Sequence, residues 1–208
     1  MVFTFKMQSA VAFLVEKEPV FQQIIDKHSW PVIPSRPPGF ATLVLLILEQ
    51  QVSIDSAKAT YLRLRDLAKE ITPQALANLS DDDYRSVGVS RQKTSYIKGL
   101  AQKIILNDFS VESLAEMTAD QARASLIQIK GIGHWTIDIY LMFSLQAPDI
   151  LPLGDIAVVN TFKELFDLYD KEEMQKRAEL WKPYRSMATY LLWHHYLRSR
   201  GRQISYTY

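Results

Sequence analysis

The sequence contains no cysteine among its 208 residues, and this absence excludes several kinds of chemistry. There can be no disulfide framework, no thiolate-ligated zinc, no all-thiolate iron–sulfur cluster and no thiol nucleophile. Histidine is also scarce. The chain has four, and none is spaced from another histidine or a glutamate as metal ligands on a helix are. We therefore expect no catalytic metal.

Long apolar runs are missing as well. The longest mainly apolar stretch, residues 40–48, is about half as long as a membrane-spanning helix. The first residues, MVFTFKMQSAV, contain one lysine and lack a clear cationic segment and a small-residue cleavage site. We therefore expect neither a membrane association nor a secretory signal, and we expect an intracellular protein.

An excess of charge of one sign is the third absence. There are 24 Lys and Arg residues against 23 Asp and Glu, a formal net charge of +1, which by itself argues against a nucleic-acid ligand. The distribution is uneven, however. Residues 85–103 include five basic residues and no acid, and residues 176–202 include seven against one glutamate. Such clusters can form a local basic face, although solvated helix faces would explain them too.

Glycine is scarce, with seven residues in the chain, and apolar residues recur mostly at spacings of three and four. This pattern predicts an all-α protein. Caps such as Ser80 and Thr118, and a first-turn proline after Thr72, mark helix starts. The predicted helices lie near residues 8–28 (broken or bent at Pro19), 39–51, 54–70, 73–78, 81–86, 91–107, 111–116, 119–127, 134–145, 156–168, 171–180 and 184–200.

Residues 127–136 are the most informative segment of the sequence. One predicted helix ends near Ile127, a short turn contains Gly131 and Gly133, and the next helix begins at His134. Glycines in such a turn permit positive φ and let a ligand approach the backbone. The free N–H groups at the start of the second helix form an anion site suited to a phosphate, although an ordinary tight turn between helices remains the alternative.

The hairpin stretch 126–136, followed by Asp155, resembles the helix–hairpin–helix DNA glycosylase superfamily. Three further stretches are similar to its 3-methyladenine DNA glycosylase II family: residues 40–53, residues 87–93, and residues 181–186 with Trp193 following. The resemblance covers residues 37–200 in five blocks that occur in the expected order.

The resemblance implies that Asp155 is the catalytic residue. It follows Gly154 and precedes an apolar helix, so an ordinary helix cap is the alternative, and the two roles are compatible. A carboxylate beside the sugar of a flipped nucleotide would stabilise the positive charge that builds on the sugar as the glycosidic bond breaks. Asp138, Asp149 and Glu49 are rival acids. Of these, Asp138 lies between two isoleucines, which favours a paired buried acid.

Aromatic residues form the base pocket that the resemblance implies: Trp135, Trp193 and Phe40. In family members that also cut the DNA strand, a lysine stands where this chain has Trp135. The resemblance therefore implies a monofunctional enzyme, and an indole suits stacking on a methylated, cationic base. The other aromatics of these helices are predicted to be core residues: Tyr140, Phe143, Trp181 and Tyr190.

DNA contacts are likewise implied by the resemblance. Gln51 is the wedge that fills the space left by the flipped nucleotide. The hairpin would hold Na⁺ or K⁺ through the backbone carbonyls of Ile127, Ile129 and Ile132, with no other cofactor required. The full set of implied DNA-binding residues is Gly131, Gly133, His134, Thr136, Gln50, Gln51, Ser53, Arg91 and Lys93.

Larger family members carry an additional N-terminal β-rich domain, whereas about 38 residues precede the helix at Phe40 here, so the resemblance is to a short form. It implies a single catalytic module of two helical subdomains with the active cleft between them. Their expected ranges are 39–147, which contains the helix–hairpin–helix at 119–145, and 1–38 with 148–208, which contains the catalytic aspartate.

The expected function is a monofunctional DNA glycosylase of base-excision repair. It would remove alkylated purines of the 3-methyladenine type from duplex DNA and leave an abasic site. The partner is damaged double-stranded DNA, with no obligate protein partner; the protein would be monomeric and located wherever the DNA is. The alternatives are a glycosylase for mismatched or oxidised bases and a non-catalytic helix–hairpin–helix DNA-binding module.

Overall fold

The computed structural model describes the backbone of residues 2–202 and the side chains of residues 7–202. Residues 2–202 contain helices and no strand, which confirms the all-α prediction. In chain order the helices are α1 (Val2–Lys17), α2 (Val20–His28), α3 (Phe40–Glu49), α4 (Ile54–Ala68), α5 (Pro73–Asn78), α6 (Asp81–Ser86), α7 (Arg91–Ile105), a 3₁₀ helix (Glu112–Glu116), α8 (Ala119–Leu126), α9 (His134–Phe143), α10 (Ile156–Phe166), α11 (Lys171–Ala178), a second 3₁₀ helix (Glu179–Trp181) and α12 (Arg185–Arg198).

The chain forms two compact units. The internal unit comprises residues 36–145, and the terminal unit comprises the residues up to 35 and from 146 onward. Residue 1 and residues 203–208, which belong to the second of the expected subdomains, lie outside the described residues. No helix in the described part of the chain is both long enough and apolar enough to span a membrane.

Side-chain caps set many of the helix starts. The hydroxyl of Thr72 accepts the N–H of Ala75 at 3.2 Å and begins α5, and Pro73 occupies the first turn. Ser80 and Thr118 form complete capping boxes at α6 and α8. These caps each satisfy backbone N–H groups that have no partner inside the helix, and they lie at the predicted starts.

The N-terminal part of the chain differs from the prediction. The break at Pro19 is present, since α1 ends at Lys17 and α2 begins at Val20. However, α1 begins at Val2 rather than near residue 8. The opening residues are rich in aromatic and β-branched types and offer no cap, so the sequence contains no local signal for this start.

The core of the internal unit is built on α3. This helix is apolar on nearly every side and is buried accordingly, and it packs against α4, α7 and α9. Its single acid, Glu49, is 7% exposed and receives two hydrogen bonds from the guanidinium of Arg36, at 2.7 and 2.8 Å. This bidentate pair compensates the cost of burying both charges.

The core of the terminal unit surrounds Trp181, which is fully buried. The ring of Phe162 stacks on the indole and that of Phe21 meets it edge-on, both with centroids 5.2 Å away. The prediction that Trp181 is a core residue is confirmed, as it is for Tyr140, Phe143 and Tyr190. Helices α10 and α12 pack side by side in this unit.

Candidate functional site

The hairpin turn joins α8 to α9 in the internal unit. Gly131 has φ +91°, and a Cβ atom built there would lie 2.2 Å from Cγ of Tyr96 on α7. The position therefore requires glycine for two reasons, the backbone conformation and the close packing of α7. The sequence gives no signal of the second reason, because Tyr96 lies 35 residues earlier in the chain.

Gly133 corrects the expectation that both glycines serve positive φ. Its φ is −98° with ψ 177°, an extended conformation that any residue adopts, and it stands as the N-cap of α9. A Cβ atom there would meet nothing within 4 Å. The open space in front of this helix start leaves the backbone accessible to a ligand.

The end of α3 is bonded to the hairpin through Gln50. Its side-chain amide donates to the carbonyl of Gly131 at 2.8 Å and to the hydroxyl of Thr136 at 3.0 Å. Thr136 is 2% exposed, so its hydroxyl lies inside the unit. The next residue, Gln51, has φ +58° and is exposed. Gln50 and Thr136 thus hold the turn in place, whereas Gln51 is presented to solvent.

Lys93 bonds the C-terminal end of α3, a contact that nothing in the sequence predicts. Its ammonium donates to the carbonyls of Leu48 at 2.8 Å and Gln50 at 2.9 Å, where α3 ends and helical carbonyls lack partners. Burial lowers the pKa of this ammonium.

Nearby, Ser53 caps α4 by accepting the N–H of Ser56 at 3.2 Å. Arg91, like His134, is exposed.

The turn carbonyls are the groups that the resemblance assigned to a monovalent cation. The carbonyl of Ile129 accepts the N–H of Ile132 at 3.0 Å, which closes the turn. A carbonyl oxygen has two lone pairs, so this bond is compatible with a cation ligand. A Na⁺ or K⁺ ion held by Ile127, Ile129 and Ile132 remains a prediction.

Asp155 stands at the start of α10 in the terminal unit. Its Oδ1 accepts the backbone N–H groups of Ala157 at 2.9 Å and Val158 at 3.2 Å, so the residue is a helix cap. The same oxygen accepts the indole N–H of Trp193 at 3.1 Å. Three N–H donors therefore fix the direction of this carboxylate.

Packing of α12 on α10 brings Trp193 to Asp155. The hydroxyl of Thr161 on α10 donates to the carbonyl of Ala157 at 2.8 Å and also lies 3.3 Å from the carbonyl of Leu192 on α12, next to the tryptophan. Trp193 is 8% exposed, and the ring of Tyr190 lies 6.0 Å away, centroid to centroid. The sequence suggested both Asp155 and Trp193 but not the hydrogen bond between them.

The three rival acids each pair with an arginine. Asp138 receives a bond of 2.5 Å from Arg123, which confirms the expected buried pair. Burial raises the pKa of Asp138, and the bond from Arg123 opposes that rise. Asp149 is held by two bonds from the Arg185 guanidinium at 2.7 and 2.9 Å, and Glu49 has the bidentate bonds already described. Each of these acids is explained by the fold.

The remaining predicted pocket aromatics belong to the internal unit. Phe40 is the first residue of α3 and is 6% exposed. Trp135 lies in the first turn of α9, next to the hairpin, and is partly exposed.

Comparison with known proteins identifies the family. Residues 44–186, more than half of the chain, match the model of the HhH-GPD superfamily base excision DNA repair protein. The chain belongs to this superfamily. This result confirms the helix–hairpin–helix resemblance inferred from the sequence, and the matched range includes both the hairpin and Asp155.

Several relatives of this HhH-GPD protein carry one name. The DNA-3-methyladenine glycosylase of Bacillus subtilis (strain 168) is 31% identical over 123 residues, which are 58% of this chain and 41% of that protein. DNA-3-methyladenine glycosylase 1 of Schizosaccharomyces pombe is 27% identical over 161 residues, covering 74% of this chain and 71% of the relative. The chain thus spans less than half of the Bacillus relative.

A solved structure extends the similarity to nearly the whole chain. The crystal structure of a DNA-3-methyladenine glycosidase from Bacillus halodurans superposes with a TM-score of 0.79 at 29% identity. The match covers 92% of this chain and 91% of that one. The HhH-GPD fold therefore includes both units of the present chain.

Proposed function

We propose that this HhH-GPD protein is a monofunctional DNA glycosylase that removes alkylated purines of the 3-methyladenine type from duplex DNA in base-excision repair. The observation that carries the proposal is the carboxylate of Asp155, which is fixed by two backbone N–H groups and the indole of Trp193. The names of the relatives support the substrate class.

The proposed chemistry needs one well-oriented carboxylate. Breaking the glycosidic bond builds positive charge on the C1′ and O4′ atoms of the sugar, and a fixed negative charge nearby lowers the energy of that state. The same carboxylate can orient or deprotonate the attacking water. An alkylated base already carries positive charge, so it departs without strong help from a general acid. Of the four candidate acids, Asp155 is the one whose carboxylate is oriented by the start of a helix and by an indole N–H.

Trp135 supports the monofunctional assignment. A lyase reaction in this superfamily requires an amine that forms a Schiff base with C1′, and an indole cannot supply one. The electron-rich face of the indole suits an electron-deficient methylated base. Trp193 and Phe40 remain predicted base-contacting residues, each within its own unit.

DNA would be held by the hairpin and by the residues that end α3. The open N-terminus of α9, at Gly133 and His134, is suited to one phosphate, and Gln51 would enter the duplex as the wedge. Arg91 would contribute a further phosphate contact. A monovalent cation on the turn carbonyls would help to bridge the hairpin to the phosphate.

The test is base release from methylated duplex DNA, followed by chromatography of the free bases. Asp155→Asn should abolish release and retain DNA binding, since asparagine preserves the cap but not the charge. Asp170→Asn is the matched control, because Asp170 caps α11 through the N–H groups of Glu172 at 2.8 Å and Glu173 at 3.2 Å. Near-normal release by Asp155→Asn would contradict the proposal.

The same assay separates the alternatives. Release of 8-oxoguanine or mispaired adenine instead of methylated purines would indicate a glycosylase for oxidised or mismatched bases. DNA binding without release of any base would indicate a non-catalytic binding module.

A further inference from the structure

A groove runs along one face of α7 in the internal unit and reaches the start of the hairpin turn. It consists of two adjoining cavities of about 440 and 280 Å³, which share Asp81, Arg91 and Thr94. The larger cavity is lined on the α7 side by Lys98, Gly99 and Lys103, among others, and on the hairpin side by Ile129 and Lys130.

The groove is strongly basic although the protein is nearly neutral. The lining of the larger cavity includes four cations and one acid. The acid, Asp81, is paired with Lys98 at 2.6 Å, and this hydrogen bond keeps the pKa of the carboxyl below its usual value. The side chains of Arg91, Lys103 and Lys130 are exposed and form no hydrogen bond or ion pair with a described residue. Three positive charges that form no hydrogen bond or ion pair with a carboxylate of the described chain therefore line one groove, an arrangement that attracts anions.

Gly99 leaves an open notch in this face of α7. It lies inside α7, where glycine weakens a helix relative to alanine. A Cβ atom built there would meet nothing within 4 Å, so no neighbour in the described chain requires glycine. Gly131, by contrast, is required by the ring of Tyr96. An unfilled notch in the wall of a basic groove suits a ligand whose backbone lies close to the helix.

We propose that this groove binds the phosphodiester backbone of the DNA strand that continues past the hairpin. The proposal rests on the proposed function, because it extends the DNA footprint of that site. From Arg91 to Lys103 the helix rises about 18 Å, which matches the axial length of about five phosphates of one strand. A polyanion can engage cations spread over that length, whereas a single phosphate cannot.

Continuity with the hairpin favours DNA over an acidic protein segment. Lys130 lines the groove and directly precedes Gly131 in the turn. A strand whose phosphate is held at the start of α9 therefore lies close to the entrance of the groove. Binding of an acidic protein would leave DNA affinity independent of the groove residues, and this outcome is part of the test.

The first experiment measures the salt dependence of binding to an undamaged duplex. In the variant Lys103→Gln/Lys130→Gln, the slope of log K against log salt should become shallower by about 2, since each lost cation–phosphate contact removes about 0.9. The control is Lys69→Gln/Lys171→Gln, which removes two exposed lysines that lack a partner in the described chain and lie outside the groove. Equal slopes for the two variants would overturn the proposal.

The second experiment fills the notch. Gly99→Leu should leave the melting temperature unchanged or raise it, since leucine favours helix, and yet weaken DNA binding about tenfold or more. Ala59→Leu, on the exposed face of α4, is the control for an added apolar side chain. Wild-type affinity in Gly99→Leu would overturn the proposal. Both experiments measure binding to undamaged DNA, whereas the proposed function is tested by the release of methylated bases from the wild type and from Asp155→Asn, so the two failures are distinguishable.

Discussion

The hydrogen bond between Trp193 and Asp155 holds the carboxylate that we propose to be catalytic. The indole N–H and two backbone N–H groups meet one carboxylate oxygen, so the carboxylate has little freedom to rotate. An N–H bond to a charged group contributes about 1.5 kcal/mol or more, and misplacing a reacting group lowers the rate of the chemical step.

Trp193→Phe should therefore slow base release about tenfold, because it removes the indole bond to Asp155 while keeping an aromatic ring. Single-turnover release from methylated DNA measures the effect. Trp181→Phe is the matched control, since the buried indole N–H of Trp181 makes no hydrogen bond to a described residue. A similar loss of rate in both variants would contradict a specific role for Trp193.

The two hairpin glycines should respond differently to the same substitution. Gly131→Ala should lower the free energy of unfolding by about 3 kcal/mol, because it combines a strained positive φ with a clash against Tyr96. Gly133→Ala should change it by less than about 1 kcal/mol, since its φ is ordinary and its surroundings are open. Urea unfolding of both variants provides the measurement. Equal losses would mean that the turn is not built as described.

Single residues show where sequence inference succeeds and where it stops. The position of Asp138 between two isoleucines predicts a buried acid, because neighbours in sequence report burial. Its partner Arg123 lies on the other helix of the hairpin, and the contact depends on how α8 and α9 pack. The same limit applies to Lys93, which bonds the end of α3 from a helix more than 40 residues away. Contacts of this kind follow from tertiary geometry.

At the scale of elements, helices with side-chain caps were predicted well. The predicted ranges of α5 and α6 match the structure, and α8 differs by one residue at its end. The segment predicted at 111–116 is a 3₁₀ helix at 112–116. So short a segment contains too few backbone hydrogen bonds for its sequence to distinguish an α-helix from a 3₁₀ helix. The early start of α1 was missed because no cap marks it.

A histidine cluster joins α2 to α12, and the sequence did not reveal it. His194 bonds the carbonyl of His28 at 2.9 Å, and the ring of His28 lies 5.4 Å from that of His195. Glu164 on α10 faces the cluster through a hydrogen bond of 3.0 Å to His195. Burial, followed by electrostatic interactions with His195, Lys27, His194 and Arg198, lowers the pKa of His28.

The cluster makes stability depend on pH. Because the pKa of His28 is lower in the folded state than the ordinary histidine value of 6.5, the unfolded chain binds more protons as the pH falls below about 6.5. The free energy of unfolding should therefore decrease between about pH 6.5 and pH 5, before most carboxylates titrate. His28→Gln should flatten this part of the profile in urea titrations. An unchanged profile would contradict the assignment to His28.

At the scale of the whole molecule, near-neutrality is a property of each unit. Residues 36–145 contain 12 Lys and Arg and 12 Asp and Glu, a difference of 0, and the remaining residues contain 12 and 11, a difference of +1. The net charge of +1 is therefore not the sum of one strongly basic unit and one strongly acidic unit. Basic character is confined to local surfaces such as the α7 groove, and backbone N–H groups at the hairpin add attraction that no count of side chains includes.

This charge distribution predicts how salt acts on DNA binding. Long-range steering depends on the field of the whole molecule, whereas close contacts mainly govern dissociation. Raising the salt concentration fourfold should therefore reduce the association rate constant by less than about threefold and should act chiefly by increasing the dissociation rate. Stopped-flow fluorescence with a labelled duplex separates the two rates.

A charge-reversal variant provides the comparison for this prediction. Asp108→Lys/Asp120→Lys changes two exposed acids, each substitution adding two charges, so the formal net charge rises from +1 to +5. Its association rate constant should be higher at low salt and should fall more steeply as salt is added, because the variant carries the long-range field that the natural chain lacks. If the wild type were already steered as strongly as this variant, the two association rates would show the same salt dependence. Local contacts could then no longer explain the proposed DNA binding of a protein of nearly zero net charge.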